Sequence, residues 1–233
     1  MTDAPVALVT GSRKGIGKFL AERFVELGYR VVGCSRDDAD WSLDGYEHIR
    51  ADVGAEPDVL RLLAHVSSGY GRLDVAVNNA GIASMNHVLL MPGATAESIM
   101  RVNFLGTFLV ARESAKLMRR AGQGRIVNLS SVAAPLGLEG EAVYAASKSA
   151  VETLTRVLAF ELAPFGITVN AVGLPPIATD LIAGVPEDKI HAVVQRLAIK
   201  RLGELQDVSN AVEFLIKPES GYVTGQVLFL GGV

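Results

Sequence analysis

The chain of 233 residues holds one cysteine, Cys34, so no internal disulfide can form, and a reducing cytoplasmic compartment is favoured. No apolar run reaches the length that spans a bilayer, and no membrane partner is expected. The 22 basic residues do not outnumber the 25 acidic ones, and a net charge of −3 offers nucleic acid no electrostatic support. The opening Met1–Pro5 lacks a basic stretch leading into an apolar one, so no secretory signal is expected. Low-complexity tracts, heptads and repeats of fixed period are missing as well. Histidines 48, 65, 87 and 191 show no ligand spacing, so no metal site is expected. With 49% apolar and 20% charged residues, what remains is a globular chain with a full core, read as a single domain over 1–233.

Short apolar runs alternate with stretches of helical period. Strands are predicted at 6–9, 30–34, 49–52, 73–77, 124–130, 167–171 and 226–230. Helices are predicted at 16–27, stopped by Gly28, and at 57–66, from Thr95 to about Met118, and at 141–163 ahead of Pro164. Two more follow, at 186–199 and 207–216. Alternating strands and helices imply right-handed crossovers and a parallel sheet covered on both faces. The near-continuous apolar strands agree. The fold class is therefore α/β, a doubly wound parallel seven-stranded sheet of Rossmann type, with ligands at the carboxyl ends of the strands.

Gly11, Gly15 and Gly17 lie between the first strand and the first helix. Glycines there permit a tight turn and let a pyrophosphate approach the helix N-terminus. Their spacing is G-x-x-x-G-x-G, and a plain βα turn is the simpler alternative. At the end of the second strand Ser35 and Arg36 stand where an NAD enzyme places an acid, and Lys14 in the glycine loop is in reach of the same spot. Arg binds phosphate bidentately and Lys adds a point charge, which favours NADP(H) over NAD(H). Asp37, Asp38 and Asp40 read as a solvated acidic loop. Asp52 is positioned to accept from an adenine amino group, or serves as a turn aspartate. Asn79, Ala80 and Gly81, after the fourth strand, are expected to line the adenine ribose and tie the central sheet together.

Tyr144 and Lys148 lie four positions apart on one predicted helix and face the same way, with Ser131 thirteen positions before the tyrosine. Alone, this pair also describes a surface i,i+4 contact. Beside the glycine loop and Asn79 it describes an acid/base site. A tyrosine with pKa near 10 needs roughly 4 kcal/mol of differential stabilisation to come down about three units. The Lys148 ammonium and a positive nicotinamide are expected to supply it. Tyrosine then gives a proton to a carbonyl oxygen, or takes one from an alcohol. Ser131 holds the substrate oxygen, and Lys148 also holds the nicotinamide ribose. Ser130 competes for the serine role, but neighbouring strand residues point to opposite faces and the spacing favours Ser131.

Over its whole length the chain resembles the short-chain dehydrogenase/reductases, with the 3-oxoacyl-[acyl-carrier-protein] reductase-like branch the most similar. Thr10–Gly17 is similar to the family's T-G-x-x-x-G-x-G, Asn78–Gly81 to its N-N-A-G, and Ser131, Tyr144 and Lys148 to its catalytic triad. The resemblance implies cofactor contacts at Ser12, Arg13, Ile16, Val53, Ile177 and Thr179. It also implies a catalytic role for Asn103, holding a water in a proton relay, and a homotetramer packed through the two long helices. Two departures bear on the substrate. Leu174-Pro175 replaces a Pro-Gly pair, and Leu230-Gly231-Gly232-Val233 lacks the usual acid or Asn.

The pocket walls are expected from 84–87, 133–139, 174–175 and 181–191, mostly apolar, to take a small carbonyl or alcohol substrate. The function read here is an NADPH-dependent oxidoreductase, with the ketoreductase direction favoured. An NAD-dependent alcohol dehydrogenase and a non-catalytic NADP(H)-binding regulator are the alternatives. Nucleotide-sugar epimerases or dehydratases carry a different glycine spacing and a longer C-terminal region.

Overall fold

The computed structural model describes residues 4–180 and 182–233. The expectations for Met1–Asp3 and Leu181 lie outside the described residues. Seven parallel strands form one sheet in the order β3-β2-β1-β4-β5-β6-β7. They are β1 (Val6–Thr10), β2 (Arg30–Ser35), β3 (Tyr46–Arg50), β4 (Val75–Asn78), β5 (Gly124–Ser131), β6 (Ile167–Leu174) and β7 (Val227–Phe229). The helices between them are α1 (Gly15–Glu26), α2 (Glu56–Tyr70), α3 (Gly93–Met100), α4 (Gly106–Ala121), α5 (Ala133–Leu136), α6 (Ala142–Leu162), α7 (Glu187–Gln195) and α8 (Leu205–Ile216).

Strand alternation divides the core in two. Val6, Leu8, Val32, Ala76, Ile126 and Val169 point to the face covered by α2, α4 and α6. Ala7, Val9, Val31, Val77, Val127 and Val172 point to the face covered by α1 and α8. Both faces are dry, which is why the central strands read as unbroken apolar runs. The order reverses between β1 and β4, so the loops after these two strands diverge and leave a crevice at the carboxyl edge.

Several elements differ from expectation, and the helix expected at 186–199 ends at Gln195. The third strand is Tyr46–Arg50, not 49–52. As an edge strand it has one paired neighbour, β2, and its Tyr-Glu-His-Ile-Arg composition alternates instead of running apolar. The long helix expected from Thr95 runs from Gly93 to Ala121 with a π turn at Arg101–Leu105, and Asn103 sits inside that turn. Strands β5 and β6 also extend further than expected and pair to the end, with Ser131 opposite Leu174.

Gly33 in β2 is required by packing. A Cβ there would collide with the Ser12 hydroxyl and the Tyr46 phenol, which fill the space above it. Gly33→Ala is expected to destabilise the protein by about 2 kcal/mol, the usual cost of overpacking. Urea denaturation of the two proteins checks it, and equal midpoints would contradict the steric account.

Candidate active site

The crevice is held open by a clamp between the β1 and β4 loops. The Thr10 hydroxyl accepts from the backbone N–H of Asn79 and of Ala80, both at 3.0 Å. The Asn79 amide donates to the Thr10 carbonyl at 2.7 Å and to the Gly11 carbonyl at 3.1 Å. Asn79 is therefore a strut under the glycine loop as well as part of a cavity wall. Gly17 packs against this strut, and a Cβ would strike the Gly11 carbonyl and the Asn79 amide.

A cavity of about 360 Å³ opens beside the loop, lined by Gly11, Arg13, Lys14, Gly15, Ile16, Ser35, Arg36, Asp52, Val53, Asn79, Ala80, Gly81 and Thr179 among others. Nearly all the cofactor residues expected from sequence thus share one wall. Ser12 is buried off this wall, and Ile177 lines the larger cavity described below. Arg36 is exposed, and its carbonyl accepts from Arg50 Nε at 3.2 Å. Arg13 stands 3.9 Å from Asp37, and Arg50 3.9 Å from Asp38, so the acidic loop is faced by guanidinium groups.

Two expected residues are engaged elsewhere. The Lys14 ammonium is not directed at the end of β2; it donates to Asp180 at 2.6 Å, and this pairing lowers the Asp180 pKa. Asp52 accepts from Gly54 N–H at 2.9 Å and from Arg101 at 3.0 Å, the behaviour of a turn aspartate with an ion pair.

A polar chain under this cavity escaped the sequence reading. Ser12 Oγ lies 2.9 Å from Tyr46 Oη, which lies 2.7 Å from His48 Nδ1. His48 Nε2 lies 3.0 Å from Ser35 Oγ. Trp41 stacks on Tyr46 at 4.1 Å and donates its indole N–H to the Arg13 carbonyl. The available signal was the i, i+2 placement of Tyr46 and His48 on one face of a strand.

The larger cavity, about 700 Å³, brings Ser131, Tyr144 and Lys148 together. Ser131 ends β5, and its Oγ accepts from Ala133 N–H at 3.1 Å. Its hydroxyl shares the cavity wall with the Tyr144 phenol and lowers the tyrosine's pKa. Ser130 faces away and donates to buried Glu152 at 2.7 Å, so alternation separates the two serines as expected. Lys148 is buried and donates to the Leu129 carbonyl at 2.8 Å. Burial pushes its pKa down to about 8.

Burial likewise pushes Tyr144 up to about 12, with Ser131 pulling it down and the Glu141 carboxylate pushing it up. Burial, not Lys148, is thus the larger influence on the tyrosine. The ammonium lies 5.8 Å from the centre of the tyrosine ring, and desolvation dominates the titration of both groups. At neutral pH Tyr144 is therefore a neutral phenol.

Asn103 lies deeper. Its side chain accepts from Ile82 N–H at 2.8 Å and donates to the Ile82 carbonyl at 2.9 Å and to Ser147 Oγ at 3.0 Å. Ser147 in turn donates to the Tyr144 carbonyl at 2.7 Å. One amide hydrogen is thus committed to the Tyr144 turn of α6 through Ser147 and the other to the Ile82 carbonyl, a positioning arrangement that sequence did not foretell.

The expected apolar walls converge on this cavity at Ser84, Met85, Ala133, Leu138, Leu174, Pro175, Ile182 and Val185. His87, Leu136 and His191 stay off it, while Glu141, Val193 and Arg196 join it unforeseen. The two cavities share Ile16, Asn79, Gly81 and Thr179, so they form one elongated site.

A family model described as "Enoyl-(Acyl carrier protein) reductase" matches residues 11–232. Among curated relatives, the Vibrio cholerae 3-oxoacyl-[acyl-carrier-protein] reductase FabG is 33% identical, over 99% of this chain and 97% of its own. The chain belongs to the short-chain dehydrogenase/reductase family. A second FabG, from Staphylococcus epidermidis, is 35% identical over 97% of each chain. A "Short-chain type dehydrogenase/reductase" of Picea abies is 36% identical over 97% of this chain and 91% of its own. Among solved structures, the ligand-free aldohexose dehydrogenase of Thermoplasma acidophilum superposes with a TM-score of 0.89 at 33% identity, covering 98% and 93% of the two chains. As a member of this family the chain is an NAD(P)-dependent oxidoreductase acting on C=O or CH–OH groups.

The buried ammonium has a measurable cost. The folded pKa of Lys148, about 8, lies below the ordinary 10.5. The penalty is therefore full below pH 8 and disappears as pH rises toward 10.5, since the unfolded chain then holds the proton and the folded one does not. Lys148→Met, compared with the unchanged protein by denaturant unfolding, is expected to lose roughly 3 kcal/mol of relative stability between pH 7 and pH 10.5. A pH-independent difference would show that the ammonium is not desolvated.

Proposed function

We propose that this protein is an NADPH-dependent carbonyl reductase that runs in reverse as an alcohol dehydrogenase, with residues 1–233 forming one cofactor-binding and catalytic domain. The observation that carries it is the meeting of Ser131, Tyr144 and Lys148 on one cavity that continues into the glycine-loop cavity. A nicotinamide dinucleotide fits the residues present, since an elongated two-chamber site matches an elongated two-part molecule. Gly11, Ser12, Arg13, Gly15, Ile16 and Gly17 would hold the pyrophosphate end, with Lys14 and Asp180 closing over it. Ser35 and Arg36 would hold the adenosine side, with Asp52, Val53, Asn79, Ala80 and Gly81 below. Ile177 and Thr179 would hold the nicotinamide side with Lys148. When bound, the cofactor supplies the hydride for the carbonyl carbon, or receives it from the alcohol.

Tyr144 is the acid. Its phenol gives the proton that the carbonyl oxygen needs, and its high pKa in this site suits donation better than abstraction. Ser131 orients that oxygen with its hydroxyl, which lines the same cavity as Tyr144. Lys148 is the electrostatic partner. Its ammonium, destabilised by burial, gains most from a nearby anion such as the phenolate left by proton transfer. Asn103 positions Tyr144 through Ser147.

NADP(H) over NAD(H) is supported by Arg36, Arg13 and Arg50 at the end of β2, where no acid faces the cavity unaccompanied. The substrate is a small carbonyl or alcohol compound, in keeping with a largely apolar wall. A homotetramer and a cytoplasmic setting accord with the family resemblance. Among the described residues no helix is long and apolar enough to cross a membrane.

Tyr144→Phe is expected to lower turnover roughly a hundred- to ten-thousandfold while NADPH binding, followed by fluorescence, stays near normal. Turnover surviving in that variant would remove Tyr144 from the chemistry. Arg36→Ala is expected to weaken NADPH about tenfold or more and NADH little, by titration of each cofactor. Equal losses for both would detach Arg36 from the 2′-phosphate.

A further inference from the structure

Glu141 is a carboxylate with nothing to do in its own fold. It is the N-cap residue of α6, where an acid ordinarily accepts from the first backbone N–H groups of its helix, yet it makes no such bond. No ion pair or side-chain hydrogen bond engages it among the described residues. It is half-buried in the wall of the larger cavity, three positions before Tyr144 and so on the same face of the helix. The other charged residues of the cavity's outer wall, Glu139, Asp188, Lys189 and Arg196, are exposed to solvent and need no partner. Burial raises the Glu141 pKa, and its charge opposes ionisation of Tyr144. An acid that costs the fold energy and hinders the phenolate has a use only if a ligand engages it.

We propose that Glu141 is a specificity-determining residue that grips a hydroxyl of the substrate close to the reacting carbon, so that the preferred substrates are hydroxylated carbonyl compounds and, in reverse, vicinal diols. This rests on the reductase reading of the same site. A hydroxyl suits the place better than an ammonium, for two reasons. It donates to a carboxylate and accepts from a protonated carboxyl, so it satisfies Glu141 in either state. A cation, by contrast, would meet Lys148 on the same wall. The remaining lining, Leu138, Leu174 and Val185, accommodates the carbon skeleton. A bare alkyl ketone of equal size leaves Glu141 unpaired on closure of the site, which is the stronger form of discrimination.

Hydroxyacetone and butanone, which match in heavy-atom count, test this with NADPH. The unchanged enzyme is expected to prefer hydroxyacetone in kcat/KM by about tenfold or more. Glu141→Leu should bring the ratio close to one, mainly through KM for hydroxyacetone, and Glu141→Gln should keep part of the preference. NADPH affinity of each variant reports whether it is folded. A ratio that stays the same in Glu141→Leu, or absence of any preference in the unchanged enzyme, overturns the inference and leaves the reductase reading intact. An equal loss of both substrates also overturns it, and places Glu141 with Tyr144 instead. Binding of NADPH with no turnover of either ketone would overturn the reductase reading, and the inference with it.

Discussion

The clamp between Thr10 and Asn79 is the contact on which the carboxyl edge depends. In a doubly wound sheet the loops after the two central strands must part, and the crevice they leave is useful only if its floor is fixed. One hydroxyl accepting two backbone N–H groups, and one amide donating to two carbonyls, fix it. Neutral hydrogen bonds of this kind contribute about 1 kcal/mol apiece, but leaving their buried partners unmet would cost more. The glycine loop then packs onto the strut so closely that residue 17 has no room for a side chain.

The site also works against itself in a controlled way. Lys148 and Tyr144 are both pushed toward their neutral forms by burial. Each is therefore ready to stabilise a change in the other. In the proposed reaction a phenolate formed beside that ammonium would offset part of the desolvation cost of each charge, whereas in water the same pair would gain little. Holding both groups in a buried place costs local stability, a pattern common at reactive sites.

Much of this was legible in the sequence because it depended on local chemistry. Buried parallel strands must be apolar, tight turns at phosphate sites call for glycine, and a helix repeats its face every three to four residues. Those rules located six of the strands closely, the glycine loop, and Ser131 over Ser130. They failed where tertiary context decides. The edge strand Tyr46–Arg50 is half polar, so its start was missed. The π turn around Asn103 has no composition of its own. Lys14 was read toward the second strand because nothing local reveals an ion pair with Asp180, 166 positions away. Glu141 carries no signal in the sequence, because an acid at the start of a predicted helix is ordinary and only the structure shows that its carboxylate caps nothing.

The single tryptophan of the chain stacks on Tyr46 and bonds the carbonyl of Arg13, inside the loop that borders the smaller cavity. Emission from the protein, excited at the red edge of the aromatic band, therefore comes from one place. That place is an indole wedged between the sheet edge and the glycine loop. The molecule carries its own optical reporter of that loop, free of background from the substrate chamber.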